Sequence, residues 1–315
     1  MTRALAIAVA CTVLSACSPA LRMNEIQFVG SHNSYKRAMS EQHAAALRKR
    51  NPQAAASLEY WHQTLAEQLD LGMRKLELDV FYDPQSSTLP VGHVQMIDMN
   101  SHCPELRSCL MQVKAWSETH PDHVPIWISF NAKDQQLAGL PDPAPFTAEA
   151  LALIDAVVED VMAGRLVRPR DVRDRQWPAL DDARGKFLLI LDEGGAKRDL
   201  YLQGWPNRPL FVMVPEDHPA AAVMILNDPL ADGDRIAELV STGFLVRTRA
   251  DADTREARAN DVSRRDAAFA SGAQAVSTDY YRPARHFDTS YVVKLPQTVR
   301  CNPINAPAWC RSVEE

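Results

Sequence analysis

The feature that most constrains this chain is a series of short apolar segments spread along nearly its whole length, each closed off by polar or turn residues. They lie at 26–30, 75–81, 125–130, 186–191, 210–214, 222–226, 244–248 and 275–278. Most are continuously apolar rather than alternating, which is the pattern of a strand covered on both faces. Helical stretches at 58–71, 105–119, 148–163, 234–242 and 253–270 fill most of the intervals. Strands alternating with helices in this number predict an α/β fold, a (β/α)8 barrel of the TIM type, forming one domain over 24–300. The interval 215–221 is too short for a crossover helix, so an irregular barrel is expected there. A last apolar run at 291–295 and a tail at 301–315 are expected to pack across the barrel end.

The N-terminus bears on where the chain works. Arg3 is followed by an apolar run from Ala4 to Leu14 and then by Leu14-Ser15-Ala16-Cys17. This reads as a signal peptide whose apolar part is too short to span a bilayer. Its last four residues resemble a bacterial lipobox, with cleavage before Cys17 and a lipid on the Cys17 thiol. The expected location is therefore the bacterial cell envelope, as a lipoprotein held to a membrane by its N-terminal lipid. Ser18 rather than Asp after the cysteine favours an outer membrane. An ordinary secretory signal, with release of the protein, is the alternative.

Export permits disulfides. Cys11 leaves with the signal, and Cys103, Cys109, Cys301 and Cys310 remain. Short spacings favour Cys103–Cys109 and Cys301–Cys310 among the three pairings that four cysteines allow. Neither spacing is a zinc knuckle. The net charge of −6 offers no basic footprint for nucleic acid, and a monomer is expected.

Active sites of such barrels form at the C-terminal ends of the strands, so polar residues there are the candidates. The first strand runs into Gly30-Ser31-His32-Asn33-Ser34-Tyr35, and the second carries Glu77-Leu78-Asp79, with Gly92-His93 after a loop. The third ends Ser129-Phe130-Asn131-Ala132-Lys133-Asp134. Glu77 and Asp79, two apart on a strand, point to one face. Two adjacent carboxylates repel and need a cation. Hard oxygens from Asn33, Glu77, Asp79 and Asn131 suit calcium, with magnesium second. An ion pair with Arg74 or Lys75 is the alternative, and it leaves His32 and His93 without a part. Those two can act as general base and general acid near neutral pH. His43, His62, His120, His123 and His286 are expected to be structural or exposed.

The string from Gly30 to Tyr35, then Glu77-Leu78-Asp79-Val80, then Gly92-His93, resembles the catalytic X region of phosphoinositide phospholipase C. Val246-Arg247-Thr248-Arg249-Ala250-Asp251 and the stretch from Gly272 to Tyr280 resemble the bacterial calcium-dependent branch. The resemblance implies cleavage of a phosphatidylinositol-like phospholipid to diacylglycerol and a cyclic inositol phosphate, through attack by a hydroxyl of the substrate itself. It implies that His32 serves as base or stabilises the phosphoryl group, and that His93 is the acid, with the two roles open to exchange. Calcium on Asn33, Glu77 and Asp79 is implied too, and phosphate binding by Lys133. Arg247 and Arg249 share a face and either meet anionic substrate or pair with Asp251 or Asp279; Asp279 and Tyr280 are candidate contacts to substrate hydroxyls. The animal enzymes carry a further glutamate ligand where this chain reads Asn131, which adds no charge and cannot act as a base.

Two other readings compete. A glycerophosphodiester phosphodiesterase shares the Glu-x-Asp strand, but it opens His-Arg-Gly where this chain has His32-Asn33-Ser34. A non-catalytic lipid-binding surface barrel would have lost a histidine or metal ligand.

Overall fold

A computed structural model describes residues 20–315. The leader and Cys17 lie outside them. Ten strands form: β1 (Ile26–Ser31), β2 (Lys75–Val80), β3 (Ile126–Ala132), β4 (Leu166–Val167), β5 (Phe187–Leu191), β6 (Phe211–Val212), β7 (Val223–Ile225), β8 (Leu245–Arg249), β9 (Ala275–Thr278) and β10 (Val299–Cys301). The sheet runs β4-β5-β3-β2-β1-β9-β8-β7, with β6 also on β5, and its pairs are parallel except for β10, which lies antiparallel on β1. All eight expected strands are present. The two-residue β4 and the tail strand β10 were not expected.

The sheet curls into a parallel barrel that is open at one seam. Strands β6 and β7 are consecutive yet unpaired, and the connection between them carries no helix. A parallel crossover needs about a dozen residues or more, usually helical, to return the chain beside its starting strand. The irregularity expected at 215–221 is this opening.

The helices are α1 (Glu41–Arg50), α2 (Pro52–Ser57), α3 (Leu65–Asp70), α4 (Leu106–Thr119), α5 (Ala148–Met162), α6 (Leu180–Ala183), α7 (Gly195–Leu202), α8 (Pro229–Ser241), α9 (Arg255–Ala259) and α10 (Ser263–Ala270). The helix expected at 58–71 begins only at Leu65, because Thr64 and Glu67 close a reciprocal capping box there. The one expected at 253–270 is split by Asn260, whose φ of 51° is left-handed. Among the described residues no helix is long and apolar enough to cross a membrane.

Strand alternation sorts the core into layers. Leu76, Leu78 and Val80 of β2 and Ile128 and Phe130 of β3 face outward, into a cluster with Leu110 and Val113 of α4 and Leu151 and Ile154 of α5. The inward positions are graded along the barrel. At the N-terminal ends Ile26, Phe28, Trp127, Leu188 and Leu245 close an apolar floor under Met23. At the C-terminal ends the same inward rows carry Glu77, Asp79, Ser129, Arg247 and Ser277, all buried. Tyr291 and Val293 of the last apolar run cover Val29 and Val276 on the barrel flank. The Cys301–Cys310 loop returns to the floor. Both expected disulfides are formed, Cys103–Cys109 and Cys301–Cys310.

Candidate active site

The close approach of β1 and β2 sets the site. Gly30 lies opposite Lys75, and a Cβ on it would collide with the Lys75 backbone and Cβ. Past this contact the chain turns inward. Asn33 adopts a left-handed φ of 45°, a conformation that asparagine tolerates. Ser34 then ties the turn to β2: its amide donates to the Glu77 carbonyl at 2.9 Å, and its hydroxyl accepts from the Glu77 amide at 2.8 Å.

Lys75, Glu77 and Asp79 share the inward face of β2. Glu77 Oε2 is held by Lys75 and by Arg247 Nη2, the latter at 2.7 Å. Burial alone would raise the Glu77 carboxyl, but Lys75 and then Arg247 hold it well below the usual range. Its other oxygen, Oε1, accepts from Asn131 Nδ2 at 3.2 Å, and the same amide donates to Asp79 Oδ1 at 2.9 Å. Asp79 Oδ2 takes Tyr35 Oη at 3.0 Å and Lys133 Nζ at 3.2 Å. The ion-pair alternative is thus half realised. Lys75 does take Glu77, whereas Arg74 turns away to Glu315.

Each histidine is backed by a carboxylate. His32 Nδ1 lies 2.9 Å from Asp279 Oδ1, while its Nε2 faces Glu77 Oε1 at 3.6 Å and Arg249 Nη1 at 3.4 Å. Guanidinium only donates, so Nε2 presents its lone pair and Nδ1 carries the proton toward Asp279. Burial, reinforced by Arg249, moves the His32 pKa below its ordinary value. His93 Nδ1 meets Asp98 Oδ2 at 3.2 Å, and Asp98 is pinned by the buried Lys36 at 3.0 Å. The Gly92 amide donates to the Asp79 carbonyl at 3.2 Å, which sets His93 beside the carboxylates.

Not every expected contact faces the opening. Arg247 is buried between Glu77 and Asn227, which makes it a brace for Glu77. Asp279 is engaged by His32 and Arg249, and Tyr280 packs into the flank cluster with Tyr291. His62 donates from Nε2 to the His32 carbonyl at 2.7 Å. Among the site's charged side chains, Arg249 at 15 %, His32 at 17 %, His93 at 19 % and Lys133 at 30 % exposure stay open, so these are placed to meet a substrate. Cavities flank them on both sides. One of about 410 Å³ lies against Tyr60, His62, Asp279 and Arg282; one of about 200 Å³ joins His93 and Lys133 to Phe81, Val94, Leu137 and Leu140.

Asp98 and Asp192 escaped the sequence reading, and Asp251 entered it only as an alternative partner of Arg247 or Arg249. Asp98 gave no motif, because its role needs the tight turn from Val94. Asp251 accepts the Asp279 amide at 2.8 Å from beneath and is pushed up to about 7 by burial and by Asp279. Asp192 follows an apolar strand at once, the rule that identified the others, and burial lifts it to about 6 despite Arg247.

The family model for calcium-dependent phosphoinositide phospholipase C matches residues 21–89 and 85–303. The chain belongs to the calcium-dependent phosphoinositide phospholipase C family. It is accordingly a phosphodiesterase of the phospholipase C kind. The calcium-dependent phosphoinositol-specific phospholipase C of a Gram-negative Pseudomonas species, in its myoinositol complex, is 17 % identical, with 90 % of this chain and 96 % of that one covered and a TM-score of 0.56. The calcium-dependent phosphatidylinositol-specific enzyme of Streptomyces antibioticus is 19 % identical over 86 % and 98 %, with a TM-score of 0.57. The phosphatidylinositol-specific phospholipase C of Listeria monocytogenes is 14 % identical over 87 % and 95 %, with a TM-score of 0.53. At these identities the likeness is one of fold. No curated protein sequence matches.

This phospholipase C family is calcium-dependent, and the donor set here suits that ion. Among the described residues no group of three or more His, Cys, Asp or Glu forms a metal cluster, but amide oxygens also ligate calcium, without adding charge. The Asn131 amide sits between Glu77 Oε1 and Asp79 Oδ1, and turned about its own axis it offers a third oxygen there. Asn33 spends its nitrogen on Tyr60 at 2.7 Å, so its oxygen is the end available to an ion.

Proposed function

We propose that this phospholipase C cleaves a phosphatidylinositol-like phospholipid to diacylglycerol and a cyclic inositol phosphate, with His32 and His93 as the acid–base pair. The observation that carries this reading is the pairing His32–Asp279 and His93–Asp98 on either side of Glu77 and Asp79. A ring hydroxyl next to the phosphodiester attacks phosphorus and gives its proton to His32 Nε2, the unprotonated nitrogen. The new P–O bond closes the cyclic phosphate as the P–O bond to glycerol breaks. His93, oriented by Asp98, protonates the departing alkoxide from Nε2. Asp279 holds the His32 tautomer and stabilises the imidazolium that forms. Lys133 binds a phosphoryl oxygen. Glu77, Asp79, Asn131 and Asn33 would hold calcium, which would supply positive charge favouring the ionised hydroxyl and the charge that builds on the phosphoryl oxygens. The cavity beside His93 mixes apolar side chains (Phe81, Val94, Leu137, Leu140) with Gln95, Gln135 and Lys133, so it offers a diacylglycerol leaving group apolar contacts next to the phosphate-binding lysine.

The test is phosphorus NMR of purified protein with phosphatidylinositol, with calcium and then with chelator. A cyclic inositol phosphate that appears only with calcium supports the reading. Hydrolysis confined to glycerophosphodiesters would replace it by the competing phosphodiesterase. We also propose that Cys17 is lipidated and holds the protein in the envelope. Cys17→Ser should move it to the soluble fraction, and membrane retention of that variant would count against the anchor.

A further inference from the structure

The described chain begins at the wrong end of the barrel for an enzyme that attacks the membrane holding it. The Leu21 carbonyl accepts from the Leu180 amide at 2.7 Å, and the Met23 amide donates to the Pro178 carbonyl at 3.1 Å. Arg22 forms a bridge to Ala179 and donates to the Trp177 carbonyl at 2.5 Å. Leu21 also packs against the apolar floor. Residues 21–23 are therefore fixed at the N-terminal ends of the strands. From Cys17 to Leu21, the first fixed residue, the chain spans at most about 14 Å, at 3.3–3.6 Å per residue. From Ile26 at the floor to His32 at the mouth β1 runs about 20 Å along the strand, about 16 Å of it along the axis of a barrel whose strands tilt by about 36°, and the loops bearing the rim stand beyond that. A lipid on Cys17 would therefore hold the floor side to the membrane, on a tether too short for the barrel to turn over and set its mouth flat on the same surface. The mouth carries exposed apolar side chains in the loops after β1, β2 and β3 (Trp61, Met96 and Leu137), and the loop at the floor carries Ile304 and Trp309.

Building on the phospholipase activity and the Cys17 anchor above, we propose that the protein acts in trans. Its substrate is a phosphodiester outside the anchoring leaflet, presented by a facing bilayer that the apolar rim meets.

The experiment anchors full-length lipidated protein in vesicles of ordinary phosphatidylinositol and adds protein-free vesicles whose phosphatidylinositol has deuterated acyl chains, together with glycerophosphoinositol. Mass spectrometry of the diacylglycerol reports which bilayer was cut. Deuterated product should exceed unlabelled product at least ten-fold. Product from glycerophosphoinositol alone would keep the orientation and make the source soluble. Unlabelled product equal to or above the deuterated would overturn the proposal. A flexible Gly/Ser insertion of about 25 residues after Ser18, able to extend beyond the barrel height, should restore cleavage of the anchoring vesicles. The unanchored Cys17→Ser protein should cut both bilayers equally, and if it cuts neither, the activity reading fails rather than the orientation. Energy transfer reads orientation without activity. A dye on Asp182→Cys, beside the fixed N-terminal residues, should transfer more to an acceptor lipid in the anchoring bilayer than a dye on Leu137→Cys, and the reverse order would overturn the proposal.

Discussion

His32 and His93 are built alike, an imidazole held from behind by a carboxylate, yet their surroundings differ. His32 is largely buried and lies against Arg249 as well as Asp279, so it is kept neutral and ready to accept a proton. Because burial and Arg249 lower its pKa, the unprotonated base persists below pH 6.5, and the acid limb of kcat/KM should fall below that value. Arg249→Gln removes a cation from beside the ring, which raises the pKa, so its acid limb should move upward; a pH–rate profile on a short-chain substrate checks both. His32→Ala or His93→Ala should each lose roughly 10²–10⁴-fold in kcat with the thermal midpoint nearly unchanged, as expected for general acid–base groups. Asp98 acts through His93 and is a positioning residue. Asp98→Asn should lower kcat more than it changes KM, and a rise in KM with kcat unchanged would point to binding instead.

At the scale of the element, β2 decides the site. Its outward residues Leu76, Leu78 and Val80 pack on helices, while its inward residues carry three charges in six positions. That arrangement holds only because Glu77 faces both Lys75 and Arg247. Glu77→Gln leaves two buried cations short of a partner and should destabilise by about 3–5 kcal/mol, the scale for breaking a buried pair. Urea denaturation without calcium measures this apart from any metal effect. Gly30→Ala should be comparably damaging, because the β1–β2 contact has no room for a methyl group. Much of this was legible beforehand: the strand, the two-residue spacing and the shared face of Glu77 and Asp79 all follow from periodicity. That Lys75 turns to Glu77 while Arg74 turns to Glu315 was not, since neighbouring residues on a strand take opposite faces and only the packing says what waits on each.

Over the whole molecule, the polar mouth rests on buried groups whose titration opposes one another. His62 is buried neutral, with its pKa lowered to about 4 chiefly by desolvation. The unfolded chain takes up that proton below pH 6.5 and the folded one only near 4, so stability is lost as pH falls through this window, by up to about 3 kcal/mol. Asp251, raised to about 7, and Asp192, raised to about 6, act the other way, because the folded state binds their protons first. The His62 contribution is therefore best read as a difference. His62→Gln keeps a donor for the His32 carbonyl and should narrow the loss of urea midpoint between pH 7 and pH 4.5 relative to the parent protein. An unchanged loss would show that His62 is not the group responsible.

The sequence by itself determined eight of the strands, the barrel, its irregular stretch and the histidines and carboxylates at the ends of β1 and β2, and its spacings favoured the disulfide pairing that forms. These depend on periodicity, spacing and position at strand ends, all of which are local. The tertiary structure decided the partners. Asp279 reaches His32 across 247 positions and Arg247 reaches Glu77 across 170, and Asp98 joins His93 only through its turn. Charge pairing in a buried mouth depends on which inward rows converge, and convergence is a property of the closed sheet rather than of any segment of it.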